Sequence, residues 1–338
     1  MSRVTVVGAG AIGGTIGALL QRAGTPVDLI QRPGPVFDAL RERGLRVEGP
    51  DGAFDVRFAA VRSPEEDLGT LDLVLLAVKA HATEWAARLV AGHLADDGLV
   101  VTLQNGLTYD AAASVLGAER VIPAMVHLAA QRPEPGLVRY AEGEIHIGEP
   151  DGRLSPRLAR VARDLSAAAP AHATDNIWGF VCGKLAYSAM QCAQALVDAT
   201  TAEVMAQPWV RPVCVAVQSE VADAARVSGV RMESYDRLDA SVLPARSAAD
   251  LDRALAMLPE GSARQNAYGR DLERGVPGEV DYVCGAVARV GRAHGLPMTL
   301  NASITEMIHE IEDGRRERGW ANLRGLEPAA RAVLPSEA

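Results

Sequence analysis

Of the 34 basic residues in this 338-residue chain, only Lys79 and Lys184 are lysines; the rest are arginines. The difference matters for chemistry. Arginine keeps its proton inside proteins, whereas a lysine whose pKa falls on burial can give one up. Reducing a carbonyl needs a hydride at carbon and a proton, or positive charge, at oxygen. A lysine retained by a chain that otherwise uses arginine is therefore a candidate proton donor. Chance survival of two lysines is the plainer alternative.

Lys184 lies in "FVCGKLAYSAMQ", inside a stretch with helical spacing over 176–198. At 100° per residue, Lys184, Tyr187, Ser188, Gln191 and Asp198 share one face. Trp178, Cys182, Leu185, Ala186, Ala189, Ala193 and Leu196 share the other. The polar face is almost uncharged, which suits the wall of a cleft; a solvent-facing stripe would account for the same spacing.

A second chemical signal opens the chain. "VVGAGAIGG" holds Gly8-x-Gly10-x-x-Gly13 directly after a β-branched run and at the start of a helical pattern. In that setting Gly8 allows the tight turn and Gly10 lets backbone approach a pyrophosphate. Gly13 lets helix pack on strand, and the backbone of Ala9, Ala11 and Ile12 completes the phosphate-facing loop. The next strand ends "DLIQRPG". Gln31 stands where NAD sites offer an acid and Arg32 follows, a pair that suits a 2′-phosphate and favours NADP(H). A solvated surface Arg32 is the other reading. Lys79 in "AVKAHAT" and Asn105 in "LQNGLT" fall in loops after further strands, where ligands of open α/β sheets bind. An Asn105–Gly106 turn explains Asn105 equally well.

These residues need an α/β frame. Strand patterns at "RVTVV", "PVDLIQR", "DLVLLAVKA", "GLVVTLQNG" and "RVIPAMVHLAA" alternate with helical ones, and hairpins are expected at "LRVEGPDGAFDVRFAAV" and "GLVRYAEGEIHIGEP". Such alternation predicts a Rossmann-type doubly wound parallel sheet. Beyond about residue 170 strand signals stop and helices follow over 176–198, 208–228, 278–294 and 298–316. We therefore expect a nucleotide-binding domain over 1–174 and an all-helical C-terminal domain over 175–325, used for substrate binding and dimerisation. A loose tail is expected over 326–338, where two prolines interrupt any period.

Composition narrows the class. Hydrophobic residues make up 48% and charged ones 23%, as in ordinary soluble proteins. The net charge of −9 argues against nucleic acid, which is held by neutralising phosphates. It leaves room for a small anionic ligand met by one arginine in a cleft. Cys182, Cys192, Cys214 and Cys284 form no C-x-x-C pair, and His81 and His127 lack ligand spacing with a third donor, so no metal site is expected. No secretory pattern and no membrane-length apolar run is visible, giving a cytoplasmic expectation.

The motifs "VVGAGAIGG", "VKAHAT", "QNGL", "GLVRYAEGEIHIG", "GKLAYSAM" and "GEVDYVCGAVARVGRAHG", taken in order, resemble the ketopantoate reductase (2-dehydropantoate 2-reductase) family over nearly the whole chain. The resemblance implies NADPH, a small 2-oxo or 2-hydroxy acid substrate and a homodimer. It implies Lys184 as proton donor and Glu279, in "GEVD", close to cofactor and substrate. It implies that Arg32 holds the 2′-phosphate and that Lys79, Asn105 and Ala130 line the cofactor. The family's K-L-x-x-N-x-x-x-N pattern departs here to Ser188 and Cys192. Two later polar positions fall near Ala202 and Ala267, with Asn266 adjacent. Gln191 and Asn266 are candidates to compensate. Each lost partner would leave a substrate polar group short of about 1–3 kcal/mol, which favours a related dehydrogenase acting on another hydroxy acid or sugar acid. A redox sensor that binds NADP without turnover is the rival from another class, and an oligomeric scaffold a third.

Overall fold

The structure is a computed structural model that describes residues 3–335. The chain divides into two compact units, one running through Ile177 and one from Trp178. The division falls a few residues beyond the expected 174/175.

In the first unit, β1 (Val4–Val7) is four buried residues that lead through the glycine loop into α1 (Ala11–Arg22). Then follow β2 (Val27–Ile30), α2 (Pro35–Glu42), the hairpin β3 (Leu45–Gly49) and β4 (Gly52–Val56), and a short β5 (Ala60–Arg62). β6 (Leu71–Leu76), α3 (Thr83–Ala91), β7 (Leu94–Thr102), α4 (Tyr109–Leu116) and β8 (Val121–His127) continue the alternation. The unit closes with β9 (Ala130–Glu134), β10 (Leu137–Tyr140), β11 (Glu144–Gly148), α5 (Pro156–Leu165) and β12 (Ala171–Thr174).

Among the described residues, eight of these strands make one sheet in the order β12-β11-β8-β7-β6-β1-β2-β5. From β5 to β8 the strands are parallel, so the winding reverses at β1. Val7 is in register with Ile30 on one side and Leu76 on the other, and Leu76 with Thr102. The carboxyl ends of four strands thus finish level. The residues that leave them, Gly8, Gln31, Ala77 and Leu103, begin the loops that carry the candidate cofactor ligands. This is the crevice in which doubly wound sheets bind nucleotides.

Burial on both faces explains the unbroken Val/Leu runs. Val4, Val6, Leu73 and Leu75 pack under α1 and α5, while Val7, Val74, Leu76 and Val100 pack under α3 and α4. Each such side chain contributes about 1.5–3 kcal/mol. A second sheet, β4-β3-β10-β9, caps α1.

One expectation needs correction here. "GLVRYAEGEIHIGEP" is no hairpin: β10 pairs with β3 and β9 in the small sheet, and β11 pairs with β8 and β12 in the large one. Between them the chain crosses at Gly143, where an added Cβ would meet the His127 carbonyl oxygen at 1.9 Å. After Pro150, in a segment that drew no reading from the sequence, Ser155 caps α5 and Pro156 opens it.

The second unit is helical: α6 (Ile177–Ala195), α7 (Thr201–Met205), α8 (Val210–Val227), α9 (Ala248–Met257), α10 (Ala267–Glu273), α11 (Cys284–Ala293), α12 (Thr299–Glu312) and α13 (Trp320–Val333). α8 is buried along most of its length. It contributes Glu220, whose carboxylate accepts from Leu300 N (2.9 Å), Asn301 N (2.9 Å) and Asn301 Nδ2 (2.8 Å). α12 begins after a left-handed Met298 with no cap of its own, and Glu220 satisfies its orphan N–H groups from outside.

The expected loose tail is largely helix. α13 runs through Pro328 to Val333 and buries Leu323, Leu326 and Ala330. Packing against α8 and α12 outweighs the lost N–H of the proline. The end of that tail, 336–338, lies outside the described residues.

Candidate active site

The glycine loop shows why each glycine stands where it does. Gly8 has φ +97°, a left-handed conformation that favours glycine. A Cβ on Gly13 would sit 2.1 Å from the Gly8 carbonyl oxygen and 2.7 Å from the Ala77 Cβ. At Gly10 the space is open: among the described residues an added Cβ would come no nearer to another part of the chain than 4.0 Å, from Ala77 O. Gly10 is the N-cap of α1 and brings no side chain to it. Helix N–H groups and room for a close approach are what a pyrophosphate needs, so the residues fit a dinucleotide.

Two contacts hold the loop. Gln31 Oε1 accepts from Ala9 N at 2.9 Å, and Arg132 donates to Ala9 O at 3.2 Å. Ala9 therefore packs its methyl into the core and spends both backbone groups inside the protein. The phosphate-facing surface falls to Gly10, Ala11 and Ile12, which stay partly exposed. Gln31 is neutral as expected, with the added task of bracing the loop. Arg132 is 123 residues distant in sequence, and no local pattern announces its role.

Arg32 is exposed and makes no ion pair among the described residues. Lys79 is half-buried and precedes a 3-10 turn, Ala80–Ala82. Thr83 closes that turn and receives the Gln104 amide at 2.6 Å, tying the loops after β6 and β7 together. Asn105 follows, half-buried, before Gly106 at φ +79°. Ala130 opens β9 and packs partly buried against the main core. His81 is exposed and His127 half-buried, and among the described residues no group of three donors could hold a metal.

In the helical unit, Lys184, Tyr187 and Gln191 are half-buried on α6 and Ser188 is buried, while Asp198 lies beyond the helix end. The polar face is thus no solvent-washed stripe. Burial pushes the Lys184 amine down from 10.5 to about 8, and the nearby Glu279 carboxylate opposes that push. The chain so produces an amine that both holds and releases a proton near neutral pH.

Two further helix starts dock on the same stretch of α6. Asn266 Nδ2 donates to Gln191 O (2.8 Å) and Gln194 Oε1 (3.3 Å), while its Oδ1 accepts from Gly269 N (3.0 Å) as the cap of α10. The Cys284 thiol, at the start of α11, faces Ala189 O at 4.0 Å. Buried Glu279 lies five residues before Cys284.

Two of the substrate candidates sit inside this packing. Asn266 has both ends of its amide committed to capping and docking. Cys192 is fully buried beside Cys284, and burial raises its thiol well above the ordinary range. Neither offers a polar group in the manner of an asparagine. One residue escaped sequence reasoning: Tyr268 on α10 is buried among Ser188, Cys192 and Glu279. Its signals were faint, namely an aromatic in an aromatic-poor chain and a place two residues from Asn266.

Residues 4–152 match the family described as ketopantoate reductase PanE/ApbA, and residues 176–312 match the C-terminal part of the same family. A 2-dehydropantoate 2-reductase of Archaeoglobus fulgidus is 30% identical over 317 residues, covering 93% of this chain and 99% of the relative. That of Mesorhizobium japonicum is 28% identical over 339 residues, covering 91% and 97%. Among solved structures, a PanE/ApbA family ketopantoate reductase from Ralstonia eutropha superposes with a TM-score of 0.77 at 30% identity, covering 93% and 100%. A D-mandelate dehydrogenase solved with NADH and anilino(oxo)acetate shares the fold at a TM-score of 0.80 and 21% identity, covering 93% and 99%. Glycine loop, lysine-bearing helix and full-length similarity agree: the chain belongs to the ketopantoate reductase family.

Proposed function

We propose that this chain is an NADP(H)-dependent reductase of a small 2-oxo acid, with Lys184 delivering the proton. As a member of its family it is an oxidoreductase acting on CH–OH groups. The observation that carries the reading is the half-buried Lys184 amine, pushed to about 8 beside Glu279.

When bound, the nicotinamide cofactor supplies or accepts the hydride. Gly10, Ala11 and Ile12 would hold its pyrophosphate, Arg32 its 2′-phosphate, and Lys79, Asn105 and Ala130 would line its path. As ammonium, Lys184 polarises the substrate oxygen and then protonates it; Glu279 keeps that ammonium populated. In the reverse direction the neutral amine accepts the alcohol proton. A cytoplasmic homodimer belongs to the same proposal. Among the described residues no helix is long and apolar enough to cross a membrane.

Cofactor choice has its own test. Arg32→Ala is expected to raise KM for NADPH about 10–100-fold, the worth of a charge-assisted contact, and to leave KM for NADH within about threefold. Steady-state kinetics with both nucleotides checks it, and equal losses would remove Arg32 from the 2′-phosphate site.

A second reading keeps the chemistry and changes the substrate. Ser188, Cys192 and the committed amide of Asn266 favour a hydroxy acid other than pantoate. NADPH oxidation across a panel of 2-oxo acids separates the two: comparable efficiency on ketopantoate supports the first, and strong preference for another acid the second.

A further inference from the structure

Tyr268 is only 6% exposed, and its hydroxyl completes no hydrogen bond among the described residues. That is an unfavourable way to bury a phenol: its desolvation goes uncompensated, and phenylalanine would fill the same space without that penalty. Gln218 and Asn301, the other residues of this unit with an orphaned buried side-chain oxygen, each place their amide N–H₂ in a contact. The Tyr268 hydroxyl completes no such bond among the described residues. The environment is that of the lysine site. Asn266 latches the start of α10 onto Gln191 and Gln194, the turn of α6 that follows Ser188. The Ser188 hydroxyl lies beside the phenol, outside strict hydrogen-bond geometry, and the charge of Glu279 reaches both the phenol and the Lys184 amine.

Resting on the reading above, we propose that Tyr268 is a substrate-binding residue: its Oη, with the Ser188 hydroxyl beside it, donates to a substrate oxygen, in place of the asparagines that α6 lacks. Burial and the neighbouring carboxylate both oppose ionisation, so the phenol stays protonated and acts as a donor. A neutral donor pair of this kind suits a carboxylate or hydroxyl oxygen carried next to the reacting carbonyl. It makes no demand for the second polar group that an asparagine amide would serve.

The test compares Tyr268→Phe, Ser188→Ala and Lys184→Ala with the unaltered chain, using NADPH oxidation on ketopantoate, pyruvate and phenylglyoxylate, with thermal unfolding recorded alongside. Tyr268→Phe should lower kcat/KM for the best acid about 10–100-fold, the loss expected for one buried hydrogen bond. KM for NADPH should stay within about twofold and Tm be equal or higher. Ser188→Ala should lower kcat/KM in the same direction, and it decides the matter should the phenylalanine variant fail to fold. A Tyr268→Phe variant with unchanged kcat/KM overturns the assignment alone, provided Lys184→Ala is inactive. An unaltered chain inert towards all three acids, or a Lys184→Ala variant that keeps its rate, overturns the underlying reading and the assignment with it.

Discussion

Lys184→Ala is expected to lower kcat for carbonyl reduction by about 10²–10⁴-fold, the usual contribution of a positioned general acid. KM for NADPH should barely move, because the nucleotide is assigned to the glycine loop of the other unit. Lys184→Arg is the sharper variant. It keeps a cation near the substrate oxygen and so retains part of the electrostatic stabilisation, yet it cannot surrender a proton. Its rate should lie between those of alanine and lysine. The pH dependence should separate the roles. With the amine near 8, the ammonium form dominates below that pH, so reduction falls as pH rises through 8. Oxidation of the hydroxy acid needs the neutral amine and rises over the same interval. In Lys184→Arg that limb should vanish, and Glu279→Gln, which removes the charge that favours ammonium, should move it to lower pH. A sensor that binds NADP without turnover would show none of these effects.

The second large effect is expected at Gly13. Alanine there puts a methyl 2.1 Å from the Gly8 carbonyl oxygen, in a loop also braced by Gln31 and Arg132. Backbone atoms have nowhere inexpensive to go. A loss of about 3 kcal/mol, or a Tm lower by roughly 6–12 °C, should appear in thermal unfolding, together with loss of nucleotide binding. Gly10→Ala provides the contrast. Its φ of −71° and open surroundings accept a methyl, so Tm should hold while NADPH affinity falls at least about tenfold. Equal Tm losses at both positions would mean that Gly10 is structural and the loop is not shaped for a ligand.

Much of this was legible in the residues. A β-branched run, a glycine loop and a helical pattern in succession mark a strand that turns sharply into a helix, and β1 and α1 do so. The uncharged face of α6 pointed to an enclosed wall because solvated faces carry charge. What failed has physical causes. Period-two spacing marks β10 and β11 as strands, yet says nothing about which sheet receives each. Pro328 reads as a breaker because tertiary packing of α13 is invisible in local sequence. α5 is a different matter: Ser155-Pro156 followed by Leu158, Val161, Ala162 and Leu165 is a plain capped amphipathic start. Asn266 and Tyr268 show the limit of residue type as a guide. Asn266, a substrate candidate by residue type, caps α10, while Tyr268, which drew no reading from the sequence, carries the orphaned hydroxyl.

The reaction turns on the protonation of one amine, and the composition makes that protonation directly measurable. With only two lysines in the chain, ¹³Cε-labelled lysine gives two side-chain resonances, which Lys79→Arg assigns. Titrated in the folded protein, the Lys184 resonance is expected to have its midpoint near 8. A midpoint at the ordinary 10.5 would show an amine that keeps its proton throughout the working range, and would contradict its role as the acid of the reaction.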